Sequence, residues 1–129
     1  MGFLALPKLL LDSVILIDHF NGVAPASALV FSLDPAKTAI SVITYAEILV
    51  GLEGEAAEKA KALLSHYELL GIDGDIAERA ALLRRAHGWK LPAAFQAALA
   101  LAHNLQLYTR NTKDFNPKEH GFVVVPYVL

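Results

Sequence analysis

There is no cysteine among the 129 residues. That excludes disulfides, zinc–thiolate sites, iron–sulfur clusters and a thiol nucleophile, and it fits a reducing compartment. Charge is scarce as well: Asp, Glu, Lys and Arg make up 19% of the chain and leave a net charge of −2. Such a balance does not mark a protein that coats DNA or a membrane surface. Contact with a nucleic acid would then need a local basic patch or a bound cation. A Gly-rich phosphate loop and a G-x-S-x-G elbow are both missing. The five histidines, at 19, 66, 87, 103 and 120, lack metal-ligand spacing and read as structural or solvent-facing. Residues 91–109 hold no formal charge, yet Pro92, Gln96, His103, Asn104 and Gln106 are spread through them. That content favours a buried helix plus a strand over a membrane span. The N-terminal "MGFLALPKLLLDSVILIDHF" is interrupted by Lys8 and Asp12 and lacks a basic leader or small-residue cleavage site. The expectation is a soluble cytoplasmic protein.

What the chain does have is apolar residue, 55% of the total, in segments that alternate in character. With no repeat, low-complexity run or long linker, one domain over 1–129 is expected. Short apolar or β-branched runs at 8–12, 39–43, 68–72, 105–109 and 122–126 read as strands. Helical patterns lie between them: "SVILIDHF", "APASALVFSL", "TYAEILVGL", residues 54–67 with a Glu55–Lys59 pair, "GDIAERAALLRRAHG", and "LPAAFQAALALAHN". Asp73 is placed to cap the fifth of these and Gly88 to end it. Trp89 and Phe95 read as packing anchors, and Arg79, Arg84, Arg85, His87 and Lys90 as a solvated helix face. Strands alternating with helices imply an α/β protein, with a parallel sheet covered on both faces.

Ligands of such sheets sit beyond the carboxyl ends of the strands. Asp12 ends the first predicted strand, Thr44 and Glu47 follow the second, and Thr109, Arg110, Asn111 and Asp114 follow the fourth. Three carboxylates, Asp12, Glu47 and Asp114, are therefore expected to converge from distant segments. Packed acids repel unless a cation joins them. A hard ion, Mg²⁺ or Mn²⁺, accepts oxygen ligands and keeps several waters, and it can activate water against a phosphodiester. Thr109 and Asn111 would orient waters or phosphate oxygens, while Arg110, Lys113 and Lys118 supply positive charge. Asp18 reads as an exposed helix residue, and Asp75 as helix capping.

Four motifs in order then point further. "LLDSVILID" resembles the opening of PIN-domain proteins, in particular VapC-type toxins, and "ISVITYAEILVGL" resembles their second signature. "LPAAFQAALALAHNLQLYTRNTKDF" resembles the third and fourth, where LPDA opens a helix and T-x-N-x-x-D-F follows a strand. The resemblance implies a PIN-like three-layer fold, a mostly parallel sheet of four to five strands with helices on both faces. It also implies an endoribonuclease toxin dependent on Mg²⁺ or Mn²⁺, acting on RNA, held by a VapB-like antitoxin and usually homodimeric. By position, Asp12, Glu47 and Asp114 match three of the family's four acids. Ser13 matches its hydroxyl residue, and Thr109 and Asn111 match its last polar pair. Val14 replaces a small polar residue. The larger departure is Ala93, where the third acid belongs. Alanine suits the helix, so the fold should survive while the metal chemistry weakens or is lost.

Two other readings compete. A catalytically silent binding module would use the apolar surfaces of 24–33 and 48–64 to grip a partner. A receiver-like phosphoacceptor would need a paired acid and a placed lysine that are not evident here.

Overall fold

A computed structural model describes residues 7–129; the apolar opening 1–6, on which part of the N-terminal reading fell, lies outside them. The described chain runs β1 (Leu9–Leu11), α1 (Ser13–Phe20), α2 (Ala24–Ser32), β2 (Thr38–Ser41), α3 (Val42–Val50) and α4 (Gly54–Leu64). It continues with β3 (Glu68–Leu70), α5 (Gly74–His87), α6 (Leu91–Ala102), β4 (Gln106–Tyr108) and β5 (Val123–Val124). All the strand pairs are parallel, in the order β3-β2-β1-β4-β5. The sheet grows from β1 in one direction through β2 and β3, then in the other through β4 and β5. The order therefore reverses between β1 and β4, which opens a crevice beyond their carboxyl ends.

Successive side chains of a strand point to opposite faces. In β1, Leu10 joins a core with α5 and α6, built on Ile76, Ala80, Ala97 and Leu107. Leu9 and Leu11 join the opposite core with α1 to α4, built on Ile15, Leu16, Ile48 and Leu64. These two layers around the sheet give the three-layer α/β architecture expected.

Each strand is shorter than its apolar run. The run 39–43 stops at Ser41, whose Oγ accepts the Thr44 N–H at 3.0 Å and starts α3. The cap overrides the β preference of Val42 and Ile43, which enter the helix. β5 ends before Pro126, which has no N–H to continue a ladder. Helix α5 begins as expected, with Asp73 Oδ1 accepting the Ile76 N–H at 3.0 Å. The Glu55–Lys59 pair forms at 3.4 Å on an exposed face, where it contributes little.

Gly88 closes α5 in the left-handed region, at φ +73°, with nothing within 4 Å of an added Cβ. A substitution there meets backbone strain alone. Gly88→Ala is expected to destabilise the fold by about 1–2 kcal/mol, read as a lower urea midpoint with an unchanged slope.

Among the described residues no single helix is long and apolar enough to cross a membrane.

Candidate active site

The crevice at the reversal of strand order is a cleft of about 540 Å³. Asp12, Glu47 and Asp114 all line it, with Ser13, Val14, Ala93, Gln96 and the segment Arg110 to Asp114. Acids 35 and 67 positions apart along the chain thus line one cleft, without being drawn into a single tight group. Lys118 is not part of that lining, whereas Lys90 and Lys113 are.

Asp12 sits where β1 hands over to α1. Its N–H completes the sheet by donating to the Tyr108 carbonyl at 2.9 Å. Its side chain is buried and receives three donors. Oδ1 accepts the Ser13 N–H at 2.9 Å and Gln96 Nε2 at 3.1 Å, and Oδ2 accepts the Thr109 hydroxyl at 2.7 Å. Burial pushes the Asp12 carboxyl above the usual carboxylate range. Thr109, Gln96 and the Ser13 N–H oppose that shift, and the charge of Asp114 adds to it. The sign for stability follows. A carboxyl raised in the folded state favours the fold below its unfolded value, and that contribution is lost as pH rises through the folded one. The ionised Asp12 carboxylate is thus a local cost to the fold.

The loop after β4 links Asp12 to Asp114. Thr109 Oγ1, fully buried, accepts the Asn111 N–H at 3.0 Å, and Asn111 Nδ2 donates to Asp114 Oδ2 at 3.0 Å. Ser13, Thr109 and Asn111 therefore act on the two carboxylates by hydrogen bonds. Glu47 stands in the second turn of α3, two residues further into the helix than the pattern starting at Thr44 implied, because the helix starts at Val42; its side chain is exposed. Ala93 is half-buried in the first turn of α6, at the rim of the cleft, with no acid in that turn.

Two features escaped the sequence. Asp18 is not exposed: it is 5% accessible and takes two bonds from Arg110, from Nε at 2.5 Å and from a terminal nitrogen at 2.8 Å. The Tyr127 hydroxyl donates to the same carboxylate at 2.8 Å. Arg110 holds the Asp18 carboxyl below its ordinary range, and the bond to Asp18 in turn holds the Arg110 proton more tightly than usual. Burial, and then the bond to Asp18, pushes the Tyr127 hydroxyl up. Arg110 lines the cleft yet commits part of its guanidinium to Asp18, which leaves less of it to face the cleft. A partner 92 positions away gives no local sequence signal.

The second is Gln96. It is 2% exposed, and Nε2 donates both to Asp12 and to Thr44 Oγ1, the latter at 2.7 Å. Its Oε1 is buried without a hydrogen-bond partner among the described residues, a state that costs about 1–3 kcal/mol. A signal existed: a lone amide in the apolar run "AAFQAALA", three residues after Ala93 on the same helix face.

Hard oxygen donors of this kind suit Mg²⁺ or Mn²⁺. Among the described residues, however, no three His, Asp or Glu side chains are grouped closely enough to hold a metal. Asp12 Oδ2 has one lone pair left beyond the Thr109 bond. The donors present fit an ion carried by one or two carboxylates with water completing its shell, a usual arrangement for Mg²⁺. They do not form a closed cage.

Comparison with known proteins bears on the fold and the family. The PIN domain family matches residues 9–118. A chain of a toxin–antitoxin complex from Klebsiella pneumoniae is 39% identical, with a TM-score of 0.87, over 95% of this chain and 100% of that one. A chain of FitAcB from Neisseria gonorrhoeae is 24% identical at TM-score 0.77, over 95% of this chain and 100% of that one. A chain of VapBC2 from Rickettsia felis, bound to a promoter DNA fragment, is 20% identical at TM-score 0.64, over 91% and 96%. The last two share the fold. No curated protein matches the chain. The matched span and the parallel sheet with acids at its carboxyl edge lead to one assignment: this chain belongs to the PIN-domain family.

Proposed function

We propose that the chain is a VapC-like toxin, an endoribonuclease dependent on Mg²⁺ or Mn²⁺ whose activity is weakened by Ala93, and that a VapB-like antitoxin is its partner. One observation carries the reading: Asp12, Glu47 and Asp114, from three distant segments, line the same cleft at the carboxyl edge of the sheet. The likeness to a chain of a Klebsiella pneumoniae toxin–antitoxin complex supports it.

When bound, the ion would activate water and offset charge on the scissile phosphate. The residues supply the rest. Asp12 offers Oδ2, kept in place by Thr109, and Asp114 is oriented by Asn111. Glu47, on α3, lines the same cleft. Lys90 and Lys113 on the rim, with the uncommitted part of Arg110, attract the RNA backbone, which an acidic chain needs at this point. Ala93 removes one charge and one anchoring oxygen, so the ion binds more weakly than with four acids.

A second reading has its own observation in favour. The acid missing at 93 and the lack of a closed three-acid group suit a catalytically silent module that acts through binding. An apolar groove lined by Ile17, Phe20, Ile48 and Leu52 reaches the cleft at Glu47, and Phe31 and Val50 stand 78% and 87% exposed. Such surfaces fit an antitoxin segment or a second copy of the chain under either reading.

The test is RNA cleavage by the purified chain in Mn²⁺ or Mg²⁺. Cleavage is expected to be slow, abolished by chelation, and lowered at least about a hundredfold in Asp12→Asn. Cleavage that survives chelation overturns the metal-dependent reading. An intact chain that binds its antitoxin yet never cleaves supports the silent module.

A further inference from the structure

We infer that Gln96 is a positioning residue that turns Asp12 into a one-oxygen ligand, directing Oδ2 to the cation and withholding Oδ1. The inference rests on the metal-dependent reading above and concerns a residue that reading does not use.

Each oxygen of a carboxylate has two lone pairs. Oδ1 of Asp12 spends both, on the Ser13 N–H and on Gln96 Nε2, whereas Oδ2 spends one, on Thr109. Thr44 makes the clamp directional. Its Oγ1 accepts the second Nε2 hydrogen, so the amide is held between α3 and β1 and cannot swing away from Asp12. That orientation leaves Oε1 without a partner in the interior. An apolar residue at this core position of α6 would pack without any such penalty. The bond to Asp12 accounts for an amide at this position. Position 96 also lies on the face of α6 that carries Ala93, so it reaches the site from the helix that lacks its acid.

The test compares the parent chain with Gln96→Met, unbranched and similar in size but unable to donate, and with Thr44→Val. Two quantities are read: Mn²⁺ affinity by paramagnetic resonance, and the Asp12 carboxyl carbon resonance in metal-free protein. Gln96→Met is expected to weaken Mn²⁺ binding about tenfold, as removal of a supporting hydrogen bond to a ligand does, and to move the Asp12 resonance. Thr44→Val should weaken binding a few-fold alone and add nothing to Gln96→Met, because the two act as one unit. Unchanged Mn²⁺ affinity in a folded Gln96→Met overturns the inference. So does weaker binding with an unmoved Asp12 resonance, which would make Gln96 a direct ligand, and so does full additivity with Thr44→Val. Should Gln96→Met fail to fold, Thr44→Val decides through the same two quantities. A parent chain that binds no Mn²⁺ overturns the metal-dependent reading instead, while the Asp12 resonance still reports whether Gln96 positions it.

Discussion

Ala93→Asp is expected to raise Mg²⁺- or Mn²⁺-dependent RNA cleavage about a hundredfold, equivalent to about 2.7 kcal/mol of barrier. The reason is local. Position 93 lies in the first turn of α6 and at the rim of the cleft that holds Asp12, Glu47 and Asp114. A carboxylate there adds a charge and an oxygen where the present donors would leave an ion mostly to water. The helix tolerates it, since an acid in the first turn gains about 0.3–1 kcal/mol from the helix dipole. Thermal stability of the metal-free variant should therefore change little, because the gain offsets repulsion from Asp12. Added Mn²⁺ should raise its midpoint more than it raises the parent's. Equal, metal-independent behaviour of the two chains would remove the ribonuclease reading and leave the binding module.

The second large effect is on stability. Asp18→Ala should cost about 2–3 kcal/mol and lower the melting temperature by about 10 °C. The substitution removes a nearly inaccessible carboxylate that joins α1 to the loop after β4 and to the C-terminal segment at Tyr127. Arg110 is 35% exposed and can recover some hydration, which keeps the loss below that of a fully buried pair. The network also fixes a pH window. Asp18 is depressed in the folded state, so its contribution is complete above the unfolded carboxylate value, near pH 4. It is lost as pH falls through the lower folded value. Asp18→Ala should thus flatten the acid side of the stability curve in denaturant titrations. An acid limb as steep as the parent's would show that other carboxylates govern it.

These two results divide by what a sequence can carry. Asp12, Glu47 and Asp114 were legible as candidates because each follows a strand end, and Ala93 because it opens a helix within a motif that resembles the family's third signature. Strand direction and layer assignment followed from apolar runs alternating with amphipathic ones. Boundaries were less legible. Val42 and Ile43 favour a strand by type, but a hydroxyl cap at Ser41 sets where the helix begins.

Local spacing thus determined the fold class and made the three acids candidates, since periodicity and caps are short-range properties. The tertiary structure alone decided which distant side chains hold Asp12 and Asp18 in place. Gln96 reaches Asp12 across 84 positions, Thr109 across 97, and Arg110 reaches Asp18 across 92. Hydrogen bonds act over a few ångströms in space and are indifferent to separation along the chain. Only packing of α6, β1 and β4 side by side could bring these partners within reach.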